Sequence, residues 1–104
     1  MKLFANLFSS SAPSANLKDV ITDGAFLVDV RTEGEFAQGK VNGSVNIPLD
    51  RVPFELAKFM NKKNIIVFCR SGARSGRAKN ILEQYGFTNV INGGTWEEVN
   101  QIVK

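Results

Sequence analysis

Cys69 has the clearest chemical potential in this sequence, because it is the single cysteine in a chain of 104 residues that has no histidine. A thiolate is a strong nucleophile. Without imidazole, however, the chain cannot build a Ser-His-Asp triad, a Cys-His pair or a zinc site that contains histidine. A disulfide within the chain is also excluded, since Cys69 has no partner. Covalent chemistry at Cys69 must therefore be activated by backbone dipoles and cations.

The residues that follow Cys69 favour an anion-binding loop. The run Arg70-Ser71-Gly72-Ala73-Arg74-Ser75 lies between the apolar segment 65–68 and a predicted helix. A helix start offers unsatisfied N–H groups and the positive end of the helix dipole, which together favour thiolate over thiol. Arg70 and Arg74 can add bidentate contacts to oxyanions such as sulfate, sulfonate or phosphate. We therefore expect a lowered pKa at Cys69 and an anion bound beside it.

Three alternative interpretations of this segment are weaker. A lone cysteine that ends an apolar strand is usually an inert core residue, but the polar loop after it would pack poorly in a core. Cysteine-dependent phosphatases need Cys-x5-Arg, whereas Arg74 lies five positions after Cys69 and the sixth is Ser75. A Walker loop would need Gly-x4-Gly-Lys, which Gly72 to Gly76 does not supply.

Cys69 also lies in the most basic part of the chain. Seven basic residues and no acidic residue lie between Glu55 and Glu83, although the whole chain carries only +3. Lys58, Lys62 and Lys63 are expected to form a solvated face. Few aromatic residues are interleaved with these charges, so we expect no nucleic-acid partner.

The elements that position Cys69 alternate along the chain. Helices are predicted at 14–21, 32–39, 50–60, 75–85 and from 95 onward, and strands at 26–30, 44–47, 65–68 and 89–91. Capping-box spacings mark two of the helix starts, at Thr32 and at Thr95, and Asn92-Gly93-Gly94 is predicted to be a turn. Gly86 is predicted to be a left-handed helix stop.

This alternation predicts one α/β domain with a central parallel sheet of about four or five short strands and helices on both faces. Strand 65–68, the most apolar segment, should be central. Ligands of such sheets bind at the carboxyl ends of the strands, which is where Cys69 lies.

Residues 1–13 are predicted to form an arm outside the domain at 14–104. Asn6 interrupts its apolar patch, which favours a docking or frayed arm over a signal peptide. The apolar runs are far shorter than the roughly 20 residues that span a bilayer, so no membrane partner is expected. We expect a monomer. We expect it in the cytoplasm, with the periplasm as the alternative, since a free thiol is easier to keep under reducing conditions.

Three separated motifs resemble the signatures of the rhodanese family. The segment Asp29-Val30-Arg31 with Glu35-Phe36 and residues 39–49 is similar to its N-terminal signature, the run from Cys69 to Ser75 to its active-site loop, and Gly93-Gly94-Thr95-Trp96 to its Gly-Gly-Trp element. The similarity spans about residues 17–103 and is greatest to the stand-alone bacterial members of the phage-shock type. The chain departs from the pattern at Lys40, where relatives have histidine, and at the inserted Thr95.

The resemblance implies a rhodanese-like single domain that transfers sulfur. Cys69 would take the outer sulfur of thiosulfate or a related donor, release sulfite, and pass the sulfur from a persulfide to cyanide or to a thiol or protein acceptor. The loop N–H groups would stabilise the persulfide, Arg70 and Arg74 would hold the donor's oxyanion, and no metal or cofactor is required. The alternatives are a persulfide carrier or regulatory module that a partner protein loads without turnover, and an oxyanion reductase or phosphatase.

The other signature residues are expected to serve the structure. Asp29 and Arg31 can tie loops together at a strand end. Glu35 is expected to close the capping box of Thr32 and is a possible partner of Arg31. Trp96 is interpreted as an aromatic residue of the core or the rim. Ser71 and Ser75 could bond the persulfide or cap a helix, and for Ser75 we favour the cap.

Overall fold

Four parallel strands, four α-helices and two short 3-10 segments make up the fold of residues 13–104, the part of the chain that the computed structural model describes. The helices are α1 (Pro13–Thr22), α2 (Glu33–Gln38), α3 (Ala73–Gln84) and α4 (Trp96–Val103). The strands are β1 (Phe26–Asp29), β2 (Val45–Asn46), β3 (Ile65–Cys69) and β4 (Val90–Thr95), in the sheet order β2-β1-β3-β4. The predicted parallel α/β sheet is confirmed, with four strands. The predicted arm falls on residues that, except for Pro13, lie outside the described part.

Strand β3 is the buried centre of this sheet. It pairs with β1 on one side and with β4 on the other, and all five of its residues are buried. Because side chains alternate across a strand, Ile65, Val67 and Cys69 face the layer that contains α3, while Ile66 and Phe68 face the layer that contains α1 and α4. A continuous run of β-branched and aromatic residues is what a parallel strand covered on both faces requires.

The predicted helix at 50–60 is wrong in type. The structure has two 3-10 segments, Leu49–Phe54 and Leu56–Phe59, separated at Glu55, whose φ of −130° is not helical. Pro53 lacks the N–H group that an α-helix would use there, which favours short turns. The side chains of Val52 and Phe59 are nevertheless buried, because the 3-10 turns present the same residues to the core.

The predicted turn at 92–94 is also wrong, because β4 continues through it to Thr95. Val67 pairs with Asn92 and Phe68 with Gly94, so Gly93 is an extra residue that forms a bulge. A Cβ at Gly93 would lie 2.8 Å from the side chain of Ile66. Glycine here therefore permits a close approach of β4 to β3 and does not mark a chain reversal.

Both predicted capping boxes are confirmed, at Thr32 with Glu35 and at Thr95 with Glu98. Gly86 has the predicted left-handed conformation, with φ of 95°. Helix α3 starts at Ala73, two residues before the prediction, after a left-handed Gly72 with φ of 95°. Within residues 13–104, no helix is both long and apolar enough to cross a membrane.

Candidate active site at the end of the central strand

Cys69 ends β3, and the chain wraps around its sulfur. The main-chain N–H groups of Gly72 and Ser75 donate to Sγ over 3.0 and 3.4 Å, and the Ser75 hydroxyl oxygen lies 3.4 Å from it. Gly72 can turn the chain back toward Sγ because it adopts a positive φ, which L side chains rarely do. A Cβ at this position would lie 3.6 Å from the Cα of Gly94, an ordinary van der Waals contact, so the positive φ is what favours glycine here. The glycine in the loop is therefore needed for the loop's shape.

The surroundings of Cys69 lower the pKa of its thiol. Burial is the largest single influence and raises the pKa, since a thiolate is poorly solvated there. The Ser75 hydroxyl and the main-chain N–H groups of Ser75, Ser71 and Gly72 act in the opposite direction, and together they outweigh burial. The net result is the lowered pKa that the loop sequence predicts.

Ser75 does not cap α3, so the preferred interpretation of this residue is wrong. Gly72 holds the N-cap position, and Ser75 lies inside the first turn with no exposed surface. Its hydroxyl faces Cys69 and Asn92. The hydroxyl of Ser71, which is exposed, accepts a 3.4 Å hydrogen bond from the N–H group of Ala73.

Arg70 and Arg74 point into different hollows. Arg70 is exposed and lines a cleft of about 360 Å³ together with Arg31, Glu35 and Trp96. Arg74 lines a largely apolar hollow of about 480 Å³ that includes Val30, Pro48, Leu49 and Ile81. Arg70 is therefore exposed beside the cleft, whereas the guanidinium of Arg74 is bonded to Glu35, a residue of the same cleft.

Arg74 is held by Glu35. The Nη1 and Nη2 atoms of Arg74 donate to the two carboxylate oxygens of Glu35 over 2.8 and 3.1 Å. This pair, with help from the main-chain N–H of Thr32, lowers the pKa of Glu35 from its usual 4.5 to about 2. The sequence names Arg31 as a possible partner of Glu35, but Arg31 donates only to the main-chain oxygen of Glu35, over 3.4 Å, and the carboxylate is bound by Arg74. Glu35 thus links the start of α2 to the start of α3.

Asp29 and Arg31 form a buried ion pair at the end of β1. Their side chains have 0% and 5% exposure, and Nη2 of Arg31 lies 2.6 Å from Oδ2 of Asp29. The main-chain N–H of Arg31 also donates to Asp29 over 2.9 Å, and Nη2 donates to the carbonyl of Gly39 over 2.6 Å. The pair joins β1 to the end of α2.

Trp96 lies at the rim of the cleft. Its side chain is partly buried against the layer that contains α1 and α4. The guanidinium of Arg31 lies 4.5 Å from the centre of its ring, and a Cβ at Gly39 would lie 3.0 Å from the ring edge. The ring therefore covers the Asp29 and Arg31 pair from one side.

The two departures from the family pattern have local explanations. Thr95 pairs with Cys69 in the register of β4 and β3, and its hydroxyl accepts the N–H of Glu98 over 3.1 Å as the N-cap of α4. Lys40 places its ammonium 5.2 Å from the ring centre of Phe36. Within residues 13–104, the side chains of Thr95 and Lys40 form no hydrogen bond with Cys69.

Asn92 is the site residue that sequence reasoning missed. Its Oδ1 accepts from the Ser75 hydroxyl over 2.7 Å and from the N–H of Gly94 over 3.0 Å. Its Nδ2 donates to the carbonyl of Gly72 over 3.1 Å. It thereby contacts Gly72 and Ser75, whose N–H groups donate to Sγ of Cys69. The sequence held one signal, an asparagine before two glycines, and that signal was interpreted as a turn.

The central strand of this parallel α/β sheet thus ends in a buried cysteine whose sulfur accepts two main-chain N–H groups. The model of the rhodanese-like domain family matches residues 14–98, and the chain belongs to this family. It is similar to a sulfurtransferase of Allochromatium vinosum, with 34% identity over 87 residues that cover 84% of this chain and 79% of the relative.

It is also similar to the thiosulfate sulfurtransferase PspE of Escherichia coli, with 38% identity over 74 residues, or 69% of this chain and 71% of the relative. Among solved structures it resembles a rhodanese with anions from E. coli, with a TM-score of 0.66 and 36% identity over 72% of this chain and 91% of that one. Sulfur transfer is therefore the general chemistry of the proteins it resembles.

Proposed function

We propose that this protein is a thiosulfate sulfurtransferase in which Cys69 carries the sulfur as a persulfide. The observation that carries the proposal is the convergence of the Gly72 and Ser75 N–H groups on Sγ of the single cysteine. These donors favour a thiolate and need no imidazole or metal, in keeping with a chain that has no histidine.

The proposed reaction has two displacements at sulfur. The Cys69 thiolate donates an electron pair to the outer sulfur of thiosulfate, the bond between the two sulfur atoms breaks, and sulfite leaves with that bonding pair. In the second step cyanide or a thiolate attacks the outer sulfur of the persulfide, and Cys69 leaves as thiolate. With cyanide the product is thiocyanate, and charge and electrons balance in both steps.

The loop offers separate groups for the two negative charges. The orphan N–H groups at the start of α3 face the outer sulfur of the persulfide. We assign the contact with the donor's sulfonate to Arg70, since it is exposed and lines the cleft. Arg74, which Glu35 engages through both carboxylate oxygens, contributes mainly its charge.

The loop must open before a sulfur donor can reach Cys69. Cys69 has no exposed surface, so a donor's outer sulfur reaches Sγ only when loop side chains move aside. The chain has no second cysteine to take the sulfur, so the acceptor must be another molecule. We propose that the protein works in the cytoplasm, where an unpaired thiol stays reduced.

Intact-mass measurement after incubation with thiosulfate tests the proposal. The protein should gain one sulfur atom and lose it on addition of cyanide, with stoichiometric thiocyanate, whereas Cys69→Ser should gain nothing. Gly43→Ala is a matched control, since it alters a loop glycine outside the site. Absence of an adduct with any sulfane donor would overturn the proposal, and loading without repeated turnover would indicate a persulfide carrier.

A further inference from the structure

The hydroxyl group of Ser75 has one proton and two acceptors within reach. Its oxygen lies 2.7 Å from Oδ1 of Asn92 and 3.4 Å from Sγ of Cys69. Ser75 and Cys69 are both fully buried. One O–H group can donate to only one of these acceptors at a time. The direction in which it points must therefore depend on whether the sulfur carries a proton.

The thiol state and the thiolate state require different arrangements. When Cys69 is a thiol, its S–H group can donate to Oγ of Ser75, and the Ser75 O–H donates to Asn92. When Cys69 is a thiolate, the contact with Ser75 is favourable only if the O–H turns toward the sulfur. In a persulfide the charge lies on the outer sulfur, so the hydroxyl is free to return to Asn92.

The side chain of Asn92 can accept the hydrogen bond of the Ser75 hydroxyl when Cys69 is a thiol and can do without it when Cys69 is a thiolate. Its amide is oriented by two further hydrogen bonds, from Nδ2 to the carbonyl of Gly72 and from the N–H of Gly94 to Oδ1. These bonds place Oδ1 on the side of Ser75. When the hydroxyl turns away, Oδ1 keeps the N–H of Gly94 and is not left unsatisfied.

We propose that the Ser75 hydroxyl is a two-position hydrogen-bond donor, held by Asn92 while Cys69 is a thiol and turned to Sγ when it is a thiolate. Asn92 is thus a positioning residue, since it competes with the sulfur for the hydroxyl proton and acts on the reaction only through Ser75 and Gly72. The proposal rests on the proposed function, in which Cys69 is the nucleophile.

Charged groups around the loop come from every neighbouring element. Glu35 and Arg74 keep their charges where a thiol titrates, since the pKa of Glu35 is about 2 and that of Arg74 is raised, mainly by Glu35. Arg70, Arg31 and Glu97 line the cleft beside the loop, Asp29 pairs with Arg31, and Glu98 lies next to Gly94. The uncharged Thr95 pairs with Cys69 from β4.

Titration of the thiolate absorbance in the full chain tests the proposal directly, because Cys69 is the single cysteine. Cys69→Ser supplies the blank that removes the tyrosine contribution. Ser75→Ala should move the midpoint of the Cys69 titration to higher pH. At any one pH below that midpoint, the thiolate-to-thiol ratio should fall by about tenfold, the effect of one hydrogen bond to a charged group. Asn80→Ala, at an exposed position of α3, is the matched control and should leave the midpoint unchanged.

The decisive comparison is Asn92→Ala with and without Ser75. With Ser75 present, Asn92→Ala removes the acceptor that competes with Sγ, so the midpoint of the Cys69 titration should move toward lower pH. Relative to the same substitution in the Ser75→Ala background, the thiolate-to-thiol ratio should be about threefold to tenfold higher. The second background measures the lost bond to the Gly72 carbonyl alone. Equal shifts in the two backgrounds would overturn the proposal.

A second substitution covers the case in which Asn92→Ala does not fold. Asn92→Asp keeps an acceptor beside Ser75 and makes it a stronger one, so the midpoint of the Cys69 titration should rise. The rise should be smaller in the Ser75→Ala background. An equal rise in both backgrounds would also contradict the proposal. The titration needs no sulfur donor. Failure to form a persulfide would therefore reject the proposed function while leaving this result intact.

Discussion

Strands β1 and β3 lie side by side and both end in polar residues at the same edge of the sheet, but the two ends use their hydrogen bonds differently. At the end of β1, the carboxylate of Asp29 and the guanidinium of Arg31 satisfy each other, and the pair is completed by the carbonyl of Gly39. At the end of β3, the main-chain N–H groups of Gly72 and Ser75 both donate to one sulfur atom. An ion pair whose hydrogen bonds are all made within the protein is typical of a structural role. Donors that converge on one sulfur atom are what stabilisation of a negative charge on that atom requires.

The largest effect on stability should come from breaking the pair at β1. Asp29→Ala leaves the buried guanidinium of Arg31 without its carboxylate and should lower the free energy of unfolding by about 3–5 kcal/mol. Urea denaturation measures this loss, with Asp50→Ala at an exposed position as the control. The folded fraction should still take sulfur from thiosulfate. If Asp29→Ala instead kept its stability and lost persulfide formation, the end of β1 would belong to the chemistry and the contrast between the two strands would fail.

Local signals in the sequence predicted the elements around both strand ends. The capping boxes at Thr32 and Thr95 join residues three positions apart, and the buried residues of β3 are consecutive, so each pattern is visible in a short window. The cysteine and its loop were found in the same way. These features cover most of the helices and the centre of the sheet.

Contacts between distant segments were not predictable from the same windows. The pair of Arg74 with Glu35 joins residues 39 positions apart, and Asn92 bonds to Gly72 across 20 positions. Both depend on the strand order. The contact of Asn92 also lies next to the bulge at Gly93, which a glycine pair in the sequence does not distinguish from a turn. The cysteine at the end of β3 and the loop after it were therefore visible in the sequence, whereas the distant residues that hold this loop were not.

The next largest effect should come from the loop glycine at the end of β3. Gly72→Ala places a Cβ on a residue with positive φ, which strains the fold by about 1–2 kcal/mol and displaces the N–H group that reaches Sγ. Gly43→Ala has nearly the same conformational penalty, since its φ is 83°, but no atom lies within 4 Å of its added Cβ. Both variants should lose similar stability in thermal unfolding, and Gly72→Ala alone should lose sulfur loading. Equal loading rates would show that the Gly72 donor is dispensable.

The two arginines of the loop extend this comparison, because within residues 13–104 Arg70 has no ion pair, whereas Arg74 is paired with Glu35. Arg70→Ala should raise the KM for thiosulfate by about tenfold, the effect of one charge-assisted contact, with little change in stability. Arg74→Ala should raise it less, since Glu35 occupies both of its terminal nitrogen atoms. Thiocyanate formation at varied thiosulfate concentration measures both, with Arg77→Ala on the exposed side of α3 as the control. A larger KM effect from Arg74→Ala would mean that Arg74 leaves Glu35 to bind the donor.

The smallest effect should come from the pair that connects the loop to α2. Glutamine can still close the capping box with Thr32, so Glu35→Gln removes mainly the ionic contact with Arg74. The free energy of unfolding at neutral pH should fall by about 0.5–1 kcal/mol, because both side chains are about one-third exposed and solvent screens the pair.

The same substitution should change how stability depends on pH. Since the folded-state pKa of Glu35 is about 2 and its usual value is 4.5, the extra stability of the wild type is complete above pH 4.5 and disappears as the pH falls toward 2. Urea unfolding at several pH values should show the two proteins converging in acid, whereas Glu33→Gln, at an exposed position of the same helix turn, should not reproduce that convergence. A difference between wild type and Glu35→Gln that stayed constant down to pH 2 would show that the Arg74 pair does not connect this loop to α2 through charge.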